Sequence, residues 1–330
     1  MELVKPFESV IGQNRIKNML SLSALAGAND REMLSLLLQG PAGLGKTKVG
    51  DAYVNAIAES IPDIKIHRIQ PRDIRLIGEE YNSLIETIVS GEPYVIFIDE
   101  CHEMVTDPTK QNKTIFAFIR KALDGNNKGK QIHVADEQFT MFDRKKHVII
   151  LATNFPHVLD KSGALQSRLN TIELDLYTEK ELIKITELMA EGNGIIFKTT
   201  DTENPLERIA RCGRGTARFI ERIMEQLNLV NDGTPITQKQ VSMALKSLKM
   251  YPRGLNDKEI MLLGICASRP INKAQFCAMS QVEPAELRNS IAYMSHPDIR
   301  FITQLPSGYL ETTKRGKNYL EKCKEMGFDV

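Results

Sequence analysis

The chain has 330 residues, 42% of them hydrophobic, with 43 Lys+Arg against 42 Asp+Glu and a formal net charge of +1. That length supports two or three domains, and the even balance excludes a chain drawn to nucleic acid by bulk charge, so any such contact must come from a local patch. Five cysteines (Cys101, Cys212, Cys266, Cys277 and Cys323) without C-x-x-C spacing point to free thiols and away from zinc. The start Met1-Glu2-Leu3-Val4-Lys5-Pro6 lacks signal-peptide character and no apolar run reaches membrane-spanning length, so a cytoplasmic protein without membrane partners is expected.

In chain order, strand-like and helix-like segments alternate up to about residue 175, the pattern of a parallel sheet covered on both faces. Strands are predicted at 34–38, 64–69, 94–99, 147–153 and 171–176, and helices at 15–26, 46–60, 83–90 and 110–123. A Gly-, Asn- and Lys-rich stretch spans 124–146; its flanks, 131–134 and 138–142, are expected to pair as a hairpin around Ala135-Asp136-Glu137. Apolar residues then recur at three- and four-residue spacing, predicting helices at 178–190, 205–211, 216–229 and 237–248. Tyr251-Pro252-Arg253-Gly254 is a breaker and the expected domain boundary. Beyond it come helices at 257–267, 273–279 and 284–294, short strands at 300–305 and 308–312 around Pro306-Ser307, and a closing helix. Helix–helix–helix–strand–turn–strand is the signature of a winged helix. The expected domains are therefore 1–176, an α/β domain on a parallel sheet; 177–252, a helical domain; and 253–330, a winged helix.

Two segments carry chemistry in the first domain. Gly40-Pro41-Ala42-Gly43-Leu44-Gly45-Lys46-Thr47 matches G-x-x-x-x-G-K-[ST] between a predicted strand and a predicted helix, the context a phosphate-binding loop requires. Its glycines let backbone N–H groups turn toward phosphate oxygens at a helix N-terminus. Lys46 would reach the β- and γ-phosphates of ATP and the Thr47 hydroxyl would bind Mg²⁺. Val95-Ile96-Phe97-Ile98-Asp99-Glu100 is a buried strand delivering two carboxylates to the sheet edge where ligands bind. Asp99 would hold the Mg²⁺ shell and Glu100 would activate the attacking water. Alone, the pair would suit an ordinary acidic turn equally well; the intact loop upstream decides for the site. Cys101-His102 completes Asp-Glu-Cys-His, where packing behind the two carboxylates is expected rather than a reactive pair. Asn154, ending the next strand, is placed to hold the hydrolytic water. Arg168 and Arg218 also stand out: Arg218 opens a helix, where a cation is unfavourable unless something anionic lies nearby.

The order of phosphate loop, Asp-Glu, Asn154, Arg168 and Arg218 resembles an AAA+ ATPase with two Walker motifs, sensor 1, arginine finger and sensor 2. More closely, the chain resembles the RuvB-type Holliday-junction branch-migration motors from end to end. Val10-Ile11-Gly12-Gln13, the phosphate loop, Phe97 to His102, Tyr177-Thr178-Glu179-Lys180-Glu181-Leu182, Arg214 to Arg218 and Gly308 to Lys317 carry the resemblance. It implies an α/β AAA+ fold with lid and winged helix, ATP and Mg²⁺ as cofactors, a hexameric homo-oligomer, and Arg168 reaching the neighbouring subunit's γ-phosphate. It further implies that Tyr177 and Arg218 touch the nucleotide, that Val10 and Ile11 flank the adenine, and that the wing contacts duplex or branched DNA. The hairpin at 131–143 would take a RuvA-like junction-binding partner, though its sequence is polar and unfamiliar. Gln166 replaces an arginine expected two residues before the finger, and Thr312 replaces a wing arginine.

Five cations, Lys314, Arg315, Lys317, Lys322 and Lys324, face only Glu321 in the closing segment. With Thr312 and Thr313 they are expected to meet phosphates without reading sequence. Lys314, Arg315 and Lys317 are the leading DNA contacts. Three rivals to an ATP-driven translocase stay open: an Asp-Glu-x-His helicase, which would need a second recombinase-like domain absent here; a clamp or helicase loader; and an ATP-controlled DNA-binding scaffold.

Overall fold

The computed structural model describes residues 5–72, 78–106, 109–127, 129–134, 139–159, 167–198 and 204–330. The hairpin tip at Ala135-Asp136-Glu137 and Gln166 lie outside the described residues. The chain divides into two compact units, Met1–Tyr177 and Thr178–Val330.

The central strands of the first unit are runs of apolar residues with no alternation, which suit strands covered on both faces. Every residue of β3 (Tyr94–Ile98) and β6 (His147–Thr153) is buried. With β1 (Leu36–Gln39), β2 (Lys65–Ile69) and β7 (Asn170–Glu173) they form one parallel sheet of order β2-β3-β6-β1-β7. Side chains alternate across it with period two. Leu37, Ile96, Ile98, Ile149 and Leu151 face one core with the helices Gly78–Ser90 and Lys110–Ala122. Leu36, Leu38, Val95, Phe97, Val148 and Ile150 face the other, with the helices Asn14–Ala28 and Lys46–Ser60. Gly50 lets the last of these close on the sheet: a Cβ there would lie 2.5 Å from the Phe97 ring.

The hairpin is short. β4 (Ile132–His133) and β5 (Phe139–Thr140) pair antiparallel. Its root is anchored, with Ile132, Val134 and Phe142 in the first core and the Thr140 hydroxyl donating to Ile88 O at 2.6 Å.

The second unit begins with four helices, Glu179–Gly192, Pro205–Cys212, Arg218–Asn228 and Gln238–Ser247. Thr178 and Thr237, predicted inside helices, are instead the N-caps of reciprocal capping boxes with Glu181 and Gln240. After the turn Pro252–Gly254 come the helices Asp257–Ser268, Lys273–Ser280 and Pro284–Ser295, then β8 (Ile302–Gln304), β9 (Leu310–Thr312) and the helix Lys314–Glu325. Ile271 bridges Leu310 and so adds a third chain segment to the β8–β9 wing.

The Tyr251–Gly254 breaker, expected as a boundary, is densely tied. Tyr293 Oη donates to Arg253 O at 2.8 Å, Tyr319 Oη to Pro252 O at 2.5 Å, and Tyr251 Oη to Asp329 O at 2.7 Å. Gly254 has φ +75°, and a Cβ on it would meet Cys212 O at 2.4 Å. Arg214 makes a bidentate pair with Glu259, both bonds 3.0 Å, while its guanidinium lies 3.9 Å from the Tyr293 ring centroid. Lid helices and winged helix are thus successive parts of one compact unit.

Candidate functional site

The strand register brings the chemistry to one edge. Gln39 pairs with Thr153 and Ile98 with Leu151, so Gly40, Asp99-Glu100 and Asn154 all leave the sheet at its carboxyl end. The loop from Gly40 to Thr47 uses left-handed backbone at Gly40, Gly43 and Gly45. Gly45 is doubly constrained: φ is +81°, and a Cβ would sit 2.6 Å from Tyr177 Oη. That hydroxyl donates to Leu44 O at 2.9 Å and closes the loop from behind. Pro41 and Thr47 are exposed, Ala42 and Gly43 half-buried, and Leu44 is buried in the core. The first-turn N–H groups of Lys46–Ser60 have no partners within the helix and carry its positive dipole end, which suits phosphate oxygens.

Lys46 is buried, and Nζ donates to Gly40 O at 2.8 Å, to Pro41 O at 2.9 Å and to Asn154 Oδ1. Burial pushes its pKa below the ordinary lysine value, with Glu100 and Asp99 opposing that shift. Thr47 Oγ1 donates to Asp99 Oδ2 at 2.6 Å, placing a hydroxyl and a carboxylate together as hard oxygen donors of the kind Mg²⁺ takes. Asp99 Oδ1 accepts from the Glu100 N–H at 2.9 Å, which turns Glu100 into left-handed backbone at φ +49°. Asn154 Nδ2 donates to Glu100 Oε1 at 2.7 Å. Lys46, Asn154 and Glu100 therefore form one continuous hydrogen-bond chain.

Cys101 is buried and its N–H donates to Ala152 O at 2.9 Å. Burial, then the Asp99 and Glu100 charges, push its thiol well above the ordinary range, which makes it inert rather than a nucleophile. His102 Nδ1 lies 3.3 Å from Glu100 Oε2 and 3.2 Å from Thr153 Oγ1.

The other expected residues are spread around this centre. Val10 is packed in the core with its carbonyl accepting from Lys17 Nζ at 2.8 Å, whereas Ile11 keeps partial exposure. Sequence reasoning overlooked a contribution of Gln13: its amide donates to Asp175 O at 2.7 Å and accepts from Asp175 N at 3.3 Å, tying the Val10 segment to the chain just before Tyr177. Arg168 pairs with Asp124 Oδ2 at 2.9 Å and donates to Arg120 O at 3.3 Å, at the end of the Lys110–Ala122 helix. Nothing near Asp124 in sequence signals that partner.

In the second unit Arg218 is exposed in the first turn of its helix, whose N-cap Ala217 offers no capping side chain. Lys314, Arg315 and Lys317 are exposed in the first turn of Lys314–Glu325, again cations at a positive dipole end. The expectation for Thr312 is corrected: it is 4% exposed and its hydroxyl is spent on Leu263 O at 2.8 Å, so it cannot meet a phosphate. Thr313 is the helix cap, accepting from Gly316 N at 3.2 Å and donating to Arg300 O.

The sheet order, the phosphate loop and the Asp-Glu strand end define an AAA+ ATPase, a nucleotide-binding enzyme that hydrolyses ATP. The family model "ATPase family associated with various cellular activities (AAA)" matches residues 36–175. Among characterised relatives, the Holliday junction branch migration complex subunit RuvB of Pediococcus pentosaceus is 27% identical over 327 residues, covering 96% of this chain and 88% of that protein. RuvB of Thermomicrobium roseum is 27% identical, over 93% of this chain and 81% of its own. The structure of the Thermotoga maritima RuvB Holliday junction branch migration motor superposes with a TM-score of 0.58 at 23% identity, over 98% of this chain and 97% of that one. Over nearly its whole length the chain is thus similar to the RuvB-type AAA+ ATPases.

Proposed function

We propose that this protein is a RuvB-like, DNA-stimulated ATPase that assembles as a ring, most simply a hexamer, and uses hydrolysis to translocate duplex DNA, as in Holliday-junction branch migration. The observation that carries the reading is the coexistence, over the chain's full length, of an ATPase centre with intact loop, carboxylates and Asn154 and a winged helix with a cationic first turn.

Lys46 trades its contacts to Gly40 O and Pro41 O for the β- and γ-phosphates of ATP, and the loop N–H groups hold the remaining oxygens. Thr47 and Asp99 would hold Mg²⁺, which when bound would supply neutralisation of phosphate charge. Glu100 accepts the proton of the attacking water, and Asn154 orients both Glu100 and that water. Because Asn154 also contacts Lys46, engagement of Lys46 by phosphate is transmitted to Glu100 along three side chains. Ile11 touches the adenine with its side chain and Val10 with its backbone; Tyr177 and Arg218 contact the nucleotide from the lid side. Arg168 leaves Asp124 to reach the γ-phosphate of an adjoining subunit. Lys314, Arg315 and Lys317 grip DNA phosphates, and the 131–143 hairpin takes a RuvA-like junction-binding protein.

The deciding experiment is ATP-dependent dissociation of a synthetic four-way junction, with and without a junction-binding protein. Strand movement supports the motor. DNA-stimulated hydrolysis without strand movement points instead to a loader or an ATP-controlled scaffold.

A further inference from the structure

Glu100 is held at only one oxygen by the machinery described so far. Oε1 accepts from Asn154 Nδ2, whereas Oε2 is shielded from solvent and makes no hydrogen bond. A shielded carboxylate oxygen without a donor is costly, and it would leave the carboxylate free to swing about its Asn154 contact. His102 Nδ1 lies 3.3 Å from Oε2. A nitrogen lone pair at that distance from a carboxylate oxygen would be repulsive, so the proton belongs on Nδ1.

The imidazole is itself fixed. Thr153 Oγ1 lies 3.2 Å from Nδ1 and accepts from the Phe155 N–H at 2.9 Å, which locks the hydroxyl at the end of β6. The Phe155 ring meets the His102 ring edge-on, with centroids 4.9 Å apart and planes at 69°. His102 therefore sits in a slot whose walls come from the same strand end that supplies Asn154.

We propose that His102 is a positioning residue for ATP hydrolysis: its Nδ1 stands at ion-pair distance, 3.3 Å, from Glu100 Oε2 while Asn154 holds Oε1, and the two together fix the carboxylate plane that receives the proton of the attacking water. This rests on the reading of Glu100 as the base. His102 touches neither nucleotide nor water, so its loss slows turnover without weakening nucleotide binding.

The two amide replacements separate this role from packing. Asparagine carries its NH₂ near the Nδ1 position, and glutamine carries it near Nε2. In DNA-stimulated hydrolysis by the full chain, His102→Gln is expected to lose about tenfold in kcat, equivalent to about 1.4 kcal/mol, with KM for ATP within about twofold. His102→Asn is expected to retain most of kcat. In a Glu100→Gln background, His102→Gln should cause no further loss. Equal rates for the Asn and Gln variants, or a loss that appears in KM, overturns the proposal. Glu100→Gln separates the two readings: normal hydrolysis by that variant refutes the base, whereas an inactive Glu100→Gln with a wild-type His102→Gln refutes His102 alone.

Discussion

Lys46, Thr47, Asp99 and Asn154 each already have a protein partner in the nucleotide centre, which makes single-atom substitutions informative. Glu100→Gln keeps the size of the side chain and an acceptor for Asn154 but removes the charge that takes a proton. It is expected to bind ATP with unchanged affinity and to lose at least about a hundredfold in turnover, measured by single-turnover hydrolysis. Gly45→Ala is a second residue-scale case, because it places a Cβ at φ +81° and 2.6 Å from Tyr177 Oη. The backbone strain costs about 1–2 kcal/mol, and the clash displaces the loop. Nucleotide affinity by titration should fall clearly. Adding Tyr177→Phe should recover part of it, since the next ring atom is 3.9 Å away; no recovery would mean that backbone strain alone is responsible.

Elements succeed here where local signals agree with burial. The helix Lys46–Ser60 and the strand His147–Thr153 fall on their sequence-predicted bounds, since a motif or an unbroken apolar run fixes both ends. Two ends that moved did so for local reasons: Thr178 and Thr237 became caps because their hydroxyls satisfy helix N–H groups. What the sequence does not carry is pairing across distance. Asp124 under Arg168, Gln13 on Asp175 and Glu259 under Arg214 are set by tertiary approach, and no spacing rule announces them. Thr312 shows the same limit, since its neighbours look like a phosphate-binding run while its own hydroxyl turns inward to Leu263. The exposed first turn of Lys314–Glu325 supports an element-scale prediction. Arg315→Ala with Lys317→Ala should weaken DNA binding and reduce the slope of log K against log[salt] by about 0.9 per lost phosphate contact, with nucleotide affinity unchanged. An unaltered slope would move the DNA surface elsewhere.

At the scale of the whole molecule, the Arg168 reading predicts complementation between subunits. Arg168→Ala alone should lose about 10³–10⁵ in rate if it acts as an arginine finger. Lys46→Ala should be inactive for a different reason. Mixed together, the two variants should regain activity, because some interfaces pair an intact loop with an intact finger; a mixture as dead as its parts would place Arg168 in its own subunit's site. The Arg214–Glu259 pair supports a stability prediction. Glu259 is 2% exposed, so Glu259→Ala strands a cation and should cost about 3–5 kcal/mol in chemical denaturation.

The three tyrosine hydroxyls around Pro252, Arg253 and Asp329 have a mechanical consequence. A chain that would have flexed at a proline–glycine turn is riveted there on several sides, so it has no joint between lid and wing. A rotation of the lid helices would be carried to the wing with little slack, as by a crank rather than a tether. Limited proteolysis of the native protein should accordingly spare residues 251–254, and cleavage there as the first event would mean that the crank is hinged after all.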